Sequence, residues 1–389
     1  MDLPELTEAE ASLLGEMRAR MVERIEASGG TLPFDRYMDT ALYEPGLGYY
    51  VNGRRKFGES GDFITAPEVS PLFSRCLARQ VAECLGQLND GEVLEFGAGS
   101  GRMAADMLVE LEALDALPGR YLILEVSPSL QNTQRDTLEE AVPHLLPRVS
   151  WLSRMPEDGF RGVLVGNELL DAMPVHRFRR WRGEWQELSV AFTDGGFCDH
   201  WSALQSPGLG AELERLWPDA RQVDEGYSSE LNMRLRPWVR AAADFMEAGY
   251  LILIDYGYTR REYYHPERRQ GTLISHFRHR AYADPYILPG LQDMTANVDF
   301  TALARAGIDA GFELSGYTTQ AHFLIDSGLE EMLSNSDPND VRRHMQLVQG
   351  VKKLMLPGGM GERFQVMALA LGVPDRLSGF RSRDMRERL

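Results

Sequence analysis

Short apolar runs alternate with longer amphipathic stretches over most of this chain, and that alternation admits few folds: a largely parallel sheet whose strands are joined by crossover helices. In chain order the runs are 92–96, 121–126, 149–152, 162–166, 250–256, 312–317 and 364–371. Between the first two, Met103, Met107, Leu108 and Leu111 recur near helical spacing and predict a crossover helix. Ahead of the sheet, Ser70 and Pro71 read as an N-cap and a first-turn proline. The helix they open carries Phe73, Leu77, Val81, Cys84 and Leu85 on one face, so Cys76 and Cys84 are expected in the core rather than in chemistry.

The expected organisation is an N-terminal helical and lid segment (1–89), the α/β domain (90–373) and a solvated charged tail (374–389). Two stretches interrupt the alternation. The first, about 175–234, begins with HRFRRWRGEWQELSVAF, an antiparallel pair turning at Arg182 and Gly183, and then reads as irregular. The second, about 258–298, is rich in Arg, His, Tyr, Gly and Pro without periodicity; irregular segments of this length inside a domain are usually functional or mobile.

Charge narrows the function. With 41 Lys and Arg against 58 Asp and Glu the chain carries a formal −17, which argues against affinity built on phosphate contacts and so against nucleic acid. Three cysteines without a CxxC pair suit neither a disulfide framework nor a zinc site, and no metal is expected. The acidic start lacks the apolar core of a secretory signal, and the run from Tyr250 to Ile254 is far too short to cross a bilayer. The expected setting is cytoplasmic, without membrane insertion.

The most informative segment is Val93-Leu94-Glu95-Phe96-Gly97-Ala98-Gly99-Ser100-Gly101, three alternate glycines between a strand and a helix. Such a loop brings backbone amides against a nucleotide-like ligand. A dinucleotide fingerprint needs a small residue where Arg102 stands, and Glu95 would repel a diphosphate. A nicotinamide oxidoreductase is therefore disfavoured. Glu95 suits a cationic nucleoside instead, and Glu125, closing the second strand, can accept from both ribose hydroxyls. S-adenosylmethionine, which carries a sulfonium and an ammonium but no phosphate, has that charge pattern.

Longer blocks carry a resemblance: LPFDRYMDTALYEPGLGYY from Leu32, FGESGDFITAPEVSPLF from Phe57, VLEFGAGSGRMAADML from Val93, VLVGNELLDAMPVHRF from Val163, GLQDMTANVDF from Gly290 and PGGMGERFQVMAL from Pro357. On these blocks, spread over about residues 30 to 371, the chain resembles the MidA family of class I S-adenosylmethionine-dependent methyltransferases, whose mitochondrial members assist respiratory complex I assembly. The resemblance implies a Rossmann-like, seven-stranded, mostly parallel sheet with an antiparallel last strand. It implies Glu95, Gly97, Gly99, Gly101 and Glu125 as cofactor residues, and transfer to arginine of a protein substrate, a complex I subunit in the mitochondrial relatives. A non-catalytic assembly factor that binds cofactor and partner remains the alternative.

Methyl transfer needs an aligned nucleophile more than a strong base. Asn167, Glu168 and Asp171 follow the fourth strand at the edge where open parallel sheets bind ligands, and either acid could grip a guanidinium fork. Asn167 as the cap of a helix is the plainer reading. The loop GESGDFITAPE from Gly58 is a candidate lid, with Asp62, Thr65 and Glu68 as polar contacts. The basic run 258–280, with Arg260, Arg261, Arg268, Arg269, Arg278 and Arg280, reads as a docking surface, a nucleic-acid patch or a solvated loop.

Overall fold

In the computed structural model, residues 4–54, 65–157, 159–337 and 340–389 are described. The central sheet is built from β1 (Glu92–Phe96), β2 (Tyr121–Leu124), β3 (Val149–Leu152), β4 (Phe160–Asn167), β5 (Met246–Tyr258), β6 (Glu313–Thr319) and β7 (Phe364–Leu371). Their spatial order is β6-β7-β5-β4-β1-β2-β3, and a two-residue strand, Val298–Asp299, adds to the end of β5. β7 runs antiparallel to both β5 and β6; the other pairings along this path are parallel. All seven apolar runs became these strands, with the antiparallel last strand that the resemblance implies.

The continuous apolar runs follow from burial on two faces. Val93, Val163, Ile252 and Ile254 enter one core with the helices Pro71–Leu88 and Arg102–Ala113. Leu94, Leu164, Leu251 and Leu253 enter the other with the helices Leu235–Phe245 and Phe300–Asp309. Alternate side chains of one strand thus serve opposite layers. Ser70 caps the helix that begins at Pro71, accepting from the Leu72 amide, and Cys76 and Cys84 are wholly buried, which pushes their thiol pKa values up.

A third core lies outside the sheet. Met17, Met21 and Ile25 of the first helix meet Phe34, Tyr37 and Met38 of the second, and both pack on Leu188, Val190 and Met294 from the two interrupting stretches. Both stretches contain more β structure than their sequence suggests, with the helix Leu209–Leu216 and loops between the strands. His176–Trp181 and Glu184–Thr193 form the expected hairpin, with Arg182 and Gly183 both at positive φ, and Thr31–Pro33, Gly196–Ala203 and Ser228–Leu231 complete a five-stranded sheet. Ile274–Phe277, Arg280–Tyr282 and Asp293–Thr295 form a second, three-stranded one. The first two helices and both insertions make one β-rich cap, whereas the helix Pro71–Leu88 belongs to the central sheet's core.

Two further expectations give way. The basic run is largely tied down rather than one open patch: Arg261 and Arg280 stay exposed, but Arg260 pairs with Asp299, Arg269 with Asp224 and Arg278 with Glu10, while Arg268 lies 3.9 Å from the centre of the Tyr258 ring. These cations tie the cap together. Nor is the tail solvated, because Leu377, Phe380 and Met385 are buried and Gln80 accepts from the Gly379 amide at 2.7 Å. Among the described residues no helix is long and apolar enough to cross a membrane.

Candidate active site

The crossovers from β1 and β4 diverge to opposite sides, and the carboxyl ends of these neighbouring strands open a crevice where parallel sheets bind ligands. The cap closes over it, leaving a cavity of about 810 Å³. Gly97, Gly99, Glu95, Glu125 and Thr65 line it from the cofactor side. Asn167, Glu168 and Asp171 line it from β4, and Tyr43, Tyr50 and Asp293 reach it from the cap. Asp62 lies outside the described residues.

Gly97, Gly99 and Gly101 take φ of 62°, 53° and 84°, where a Cβ is strained. Gly101 also lacks room: a Cβ there would stand 2.9 Å from the Gln134 Cα. The loop therefore packs directly on the helix Pro128–Ala141, rather than pointing into the cavity at that position. Gln134 donates to the Gly99 carbonyl and to Glu125 Oε2, each at 3.1 Å, while the Ser127 amide donates to Glu125 Oε1 at 2.8 Å. Glu125 is thus fixed beside the loop. Next to it Val126 is 57% exposed, an apolar surface turned toward the cavity.

Glu95 is wholly buried. The Tyr121 hydroxyl donates to its Oε2 at 2.5 Å, and its Oε1 has no partner. Burial pushes its pKa up to about 7; the Tyr121 hydrogen bond opposes that rise and Glu125 adds to it. An orphaned carboxylate oxygen beside a cradle of glycines fits an ammonium-bearing nucleoside and suits a diphosphate poorly.

Beyond β4 the chain makes a turn and no helix, so Asn167 caps nothing. Glu168 sits at φ 51°, a strained conformation for a side chain with a Cβ, and its amide donates to the Ile254 carbonyl at 2.9 Å. Its carboxyl is partly open to the cavity and otherwise enclosed by protein; it accepts from Asn167 Nδ2 at 3.1 Å. Burial pushes its pKa up to about 8, Asp171 adds to the rise, and the Asn167 and Ala66 donors oppose it. Asp171 accepts from the Tyr256 hydroxyl at 2.5 Å through Oδ2, leaving buried Oδ1 without a partner; burial raises it to about 6.

Two acids were missed by sequence reasoning. Asp255, at the end of β5, accepts through Oδ2 from the amides of Leu169, Leu170 and Asp171 at 3.2, 2.9 and 3.2 Å, and so holds the whole turn. Burial and the nearby Asp171 and Glu168 raise its pKa well above the usual range in spite of those donors. Asp293, from the cap, accepts from the Tyr50 hydroxyl at 3.0 Å. Tyr43 stacks on Tyr50 with ring centres 5.5 Å apart and donates to the Ala172 carbonyl. Glu168, Asp171 and Asp293 thus line one side of the cavity with Tyr43, Tyr50 and Tyr256, an acidic chamber suited to a cation, with Asp255 behind the turn.

Raised carboxyl pKa values have a sign. A carboxyl whose pKa is higher in the folded chain favours folding below its unfolded value and withdraws that support as pH rises through the folded value. For Glu168 the window runs from 4.5 to about 8. The ligand-free protein is expected to lose part of its stability between about pH 5 and about pH 9, and Glu168→Gln to flatten that loss. Thermal melts across this range check it; an unaltered slope in the variant would contradict the burial of the charge.

Among the described residues no group of three His, Cys, Asp or Glu side chains is arranged to hold a metal ion. The fold and the site define an α/β methyltransferase, and a family model described as "Putative S-adenosyl-L-methionine-dependent methyltransferase" matches residues 76–318. The chain belongs to this family, and its cofactor is S-adenosylmethionine. It is similar, at 40% identity and TM-score 0.95 over all of both chains, to a Burkholderia thailandensis protein crystallised with S-adenosyl-homocysteine. It is also similar to the human "Protein arginine methyltransferase NDUFAF7, mitochondrial", 30% identical over 88% of this chain and 80% of that protein. The Caenorhabditis elegans homologue of that name is 28% identical over 90% and 85% of the two chains.

Proposed function

We propose that this protein methylates arginine side chains of a protein acceptor. The observation that carries the reading is the acidic chamber: Glu168, Asp171 and Asp293 line the cavity beside the glycine loop, and no Lys or Arg forms an ion pair with Glu168 or Asp171 among the described residues. Buried acids left without a cation favour a ligand that brings one. The names of the curated relatives support the same substrate class.

When bound, S-adenosylmethionine supplies a methyl group on a sulfonium sulfur, open to in-line attack. Glu95, with Oε1 unpartnered, is assigned to the amino end of that cofactor, Glu125 to its ribose hydroxyls, and Gly97 and Gly99 to close backbone approach. Glu168 accepts two guanidinium N–H groups and turns one nitrogen toward the methyl group. Asp171, held by Tyr256, keeps a free Oδ1 to receive the proton that the guanidinium must lose. Thr65 lines the chamber, and the Ala66 amide bonds the Glu168 carboxylate. A complex I subunit is the acceptor suggested by the family resemblance, and the cytoplasm the compartment suggested by the sequence.

The test is transfer of isotopically labelled methyl groups to arginine-centred and matched lysine-centred peptides. Label on arginine peptides at least about tenfold above lysine peptides supports the reading, the fork geometry being specific to guanidinium. Label on lysine alone, or on neither, sinks it.

A further inference from the structure

We propose that a groove along the cap's five-stranded sheet is the docking channel for the polypeptide flanking the acceptor arginine. The inference rests on the protein-arginine reading and adds where the rest of that substrate lies. In His176–Trp181 the side chains alternate: His176, Phe178 and Arg180 are buried on one face, whereas Arg177, Arg179 and Trp181 lie on the face that also carries Leu188 and Val190, Arg177 partly covered beside Glu230 and Trp181 exposed. Asp199 and Trp201 of the strand Gly196–Ala203 join them, and the segments 270–274 and 282–286 form the walls. The groove holds about 760 Å³, nearly as much as the catalytic cavity.

Its lining is that of a recognition surface. The Arg179 guanidinium lies 4.9 Å from the Trp181 ring centre and 4.5 Å from that of Trp201, and its Nε donates to Gln186 at 2.8 Å. A guanidinium ordered between two indoles has already lost its rotamer freedom, and it forms no ion pair among the described residues. Trp181 is 39% exposed, a large aromatic surface left toward solvent. Arginine and tryptophan so placed are characteristic anchors for a protein partner. The unpaired cation selects an acidic side chain on an otherwise neutral or basic segment, since a net charge of −17 repels acidic chains at longer range.

Continuity with the chamber identifies the occupant. Thr272 and Ile274 belong to the walls of both the groove and the catalytic cavity. The two spaces therefore adjoin at the segment that carries these residues, so one substrate chain can engage both. Phosphate-rich ligands are disfavoured, because Asp199 and Asp284 share the lining with Arg177 and Arg179.

The probe is a library of synthetic peptides with a fixed central arginine and randomised flanks, compared with an N-acetyl-arginine amide that is too short to reach the groove. For the wild-type protein, flanks with an acidic residue on one side of the arginine are expected to lower KM at least about tenfold, or ~1.4 kcal/mol, relative to the short substrate. Arg179→Gln and, separately, Trp181→Ala should abolish that advantage while leaving S-adenosylmethionine affinity, melting temperature and turnover of the short substrate unchanged. An advantage that survives both substitutions, or no advantage in the wild type, overturns the proposal. Binding of the selected peptides with the central arginine replaced by norleucine, read by tryptophan fluorescence, separates the two readings. Quenching in the wild type and not in Trp181→Ala, without methyl transfer to any arginine peptide, would retain the groove and discard arginine methylation; transfer without quenching would do the reverse.

Discussion

Glu168→Gln is expected to bind S-adenosylmethionine as the parent protein does and to transfer methyl groups at least about a hundredfold more slowly, a loss of ~2.7 kcal/mol in the transition state. The substitution preserves shape, and Oε1 can still accept from Asn167 Nδ2. What it removes is the charge, and a neutral amide cannot hold a guanidinium fork through two charge-assisted hydrogen bonds. The glycine loop and Glu95 lie on the other side of the cavity, so cofactor affinity measured by calorimetry should stay within about twofold. Loss of kcat with KM nearly constant would mark an interaction made mainly in the transition state. Full turnover in the variant would remove Glu168 from the mechanism.

Asp255→Ala should be the most disruptive single change near the site without touching the cofactor loop. Three backbone amides, those of Leu169, Leu170 and Asp171, lose their common acceptor, and the Tyr256 amide loses Oδ1 at 2.9 Å. Buried donors left unpaired cost about 1–3 kcal/mol each, partly relieved by local rearrangement, so a net loss of about 3–5 kcal/mol is expected. The melting temperature should fall by roughly 4–6 °C, and methyl transfer should fail because the turn carrying Glu168 and Asp171 is no longer held. Asp255→Asn keeps an oxygen for the three amides and forfeits only the Tyr256 contact, so its loss should be less than half as large. Equal melting of the two variants would show that Asp255 does not act as the acceptor for this turn.

Much of this site could be read because the parallel sheet brings strand ends to one edge. Glu95, Glu125, Asn167, Glu168 and Asp171 each lie at or just past the end of an apolar strand, and the structure lines the cavity with all of them. Asp255 obeys the same rule, closing the run from Tyr250 to Ile254, and was the missed instance of a pattern already in use. Asp293, Tyr43 and Tyr50 carry no such mark. Their place depends on the cap, where strands are short and polar side chains at buried positions hide the alternation, as His176 and Arg180 do in His176–Trp181. Charge misled twice. Arg260, Arg269 and Arg278 looked like a surface until their acids arrived from distant segments, and the arginines of 374–389 concealed Leu377, Phe380 and Met385.

The cap's core joins the first helices to strands that lie late in the chain; Arg278 reaches back across 268 positions to Glu10. On the ribosome, Met17, Met21, Phe34 and Tyr37 therefore emerge long before Leu188, Val190 and Met294 exist to cover them. Contacts of such separation form slowly, because a large loop must close before they reward it. The nascent protein passes through a stage in which its amino-terminal helices offer bare apolar faces, a state suited to chaperone capture and prone to clumping when synthesis outruns it. The chamber cannot be assembled before the second insertion has been translated, since Asp293 is its last acidic wall.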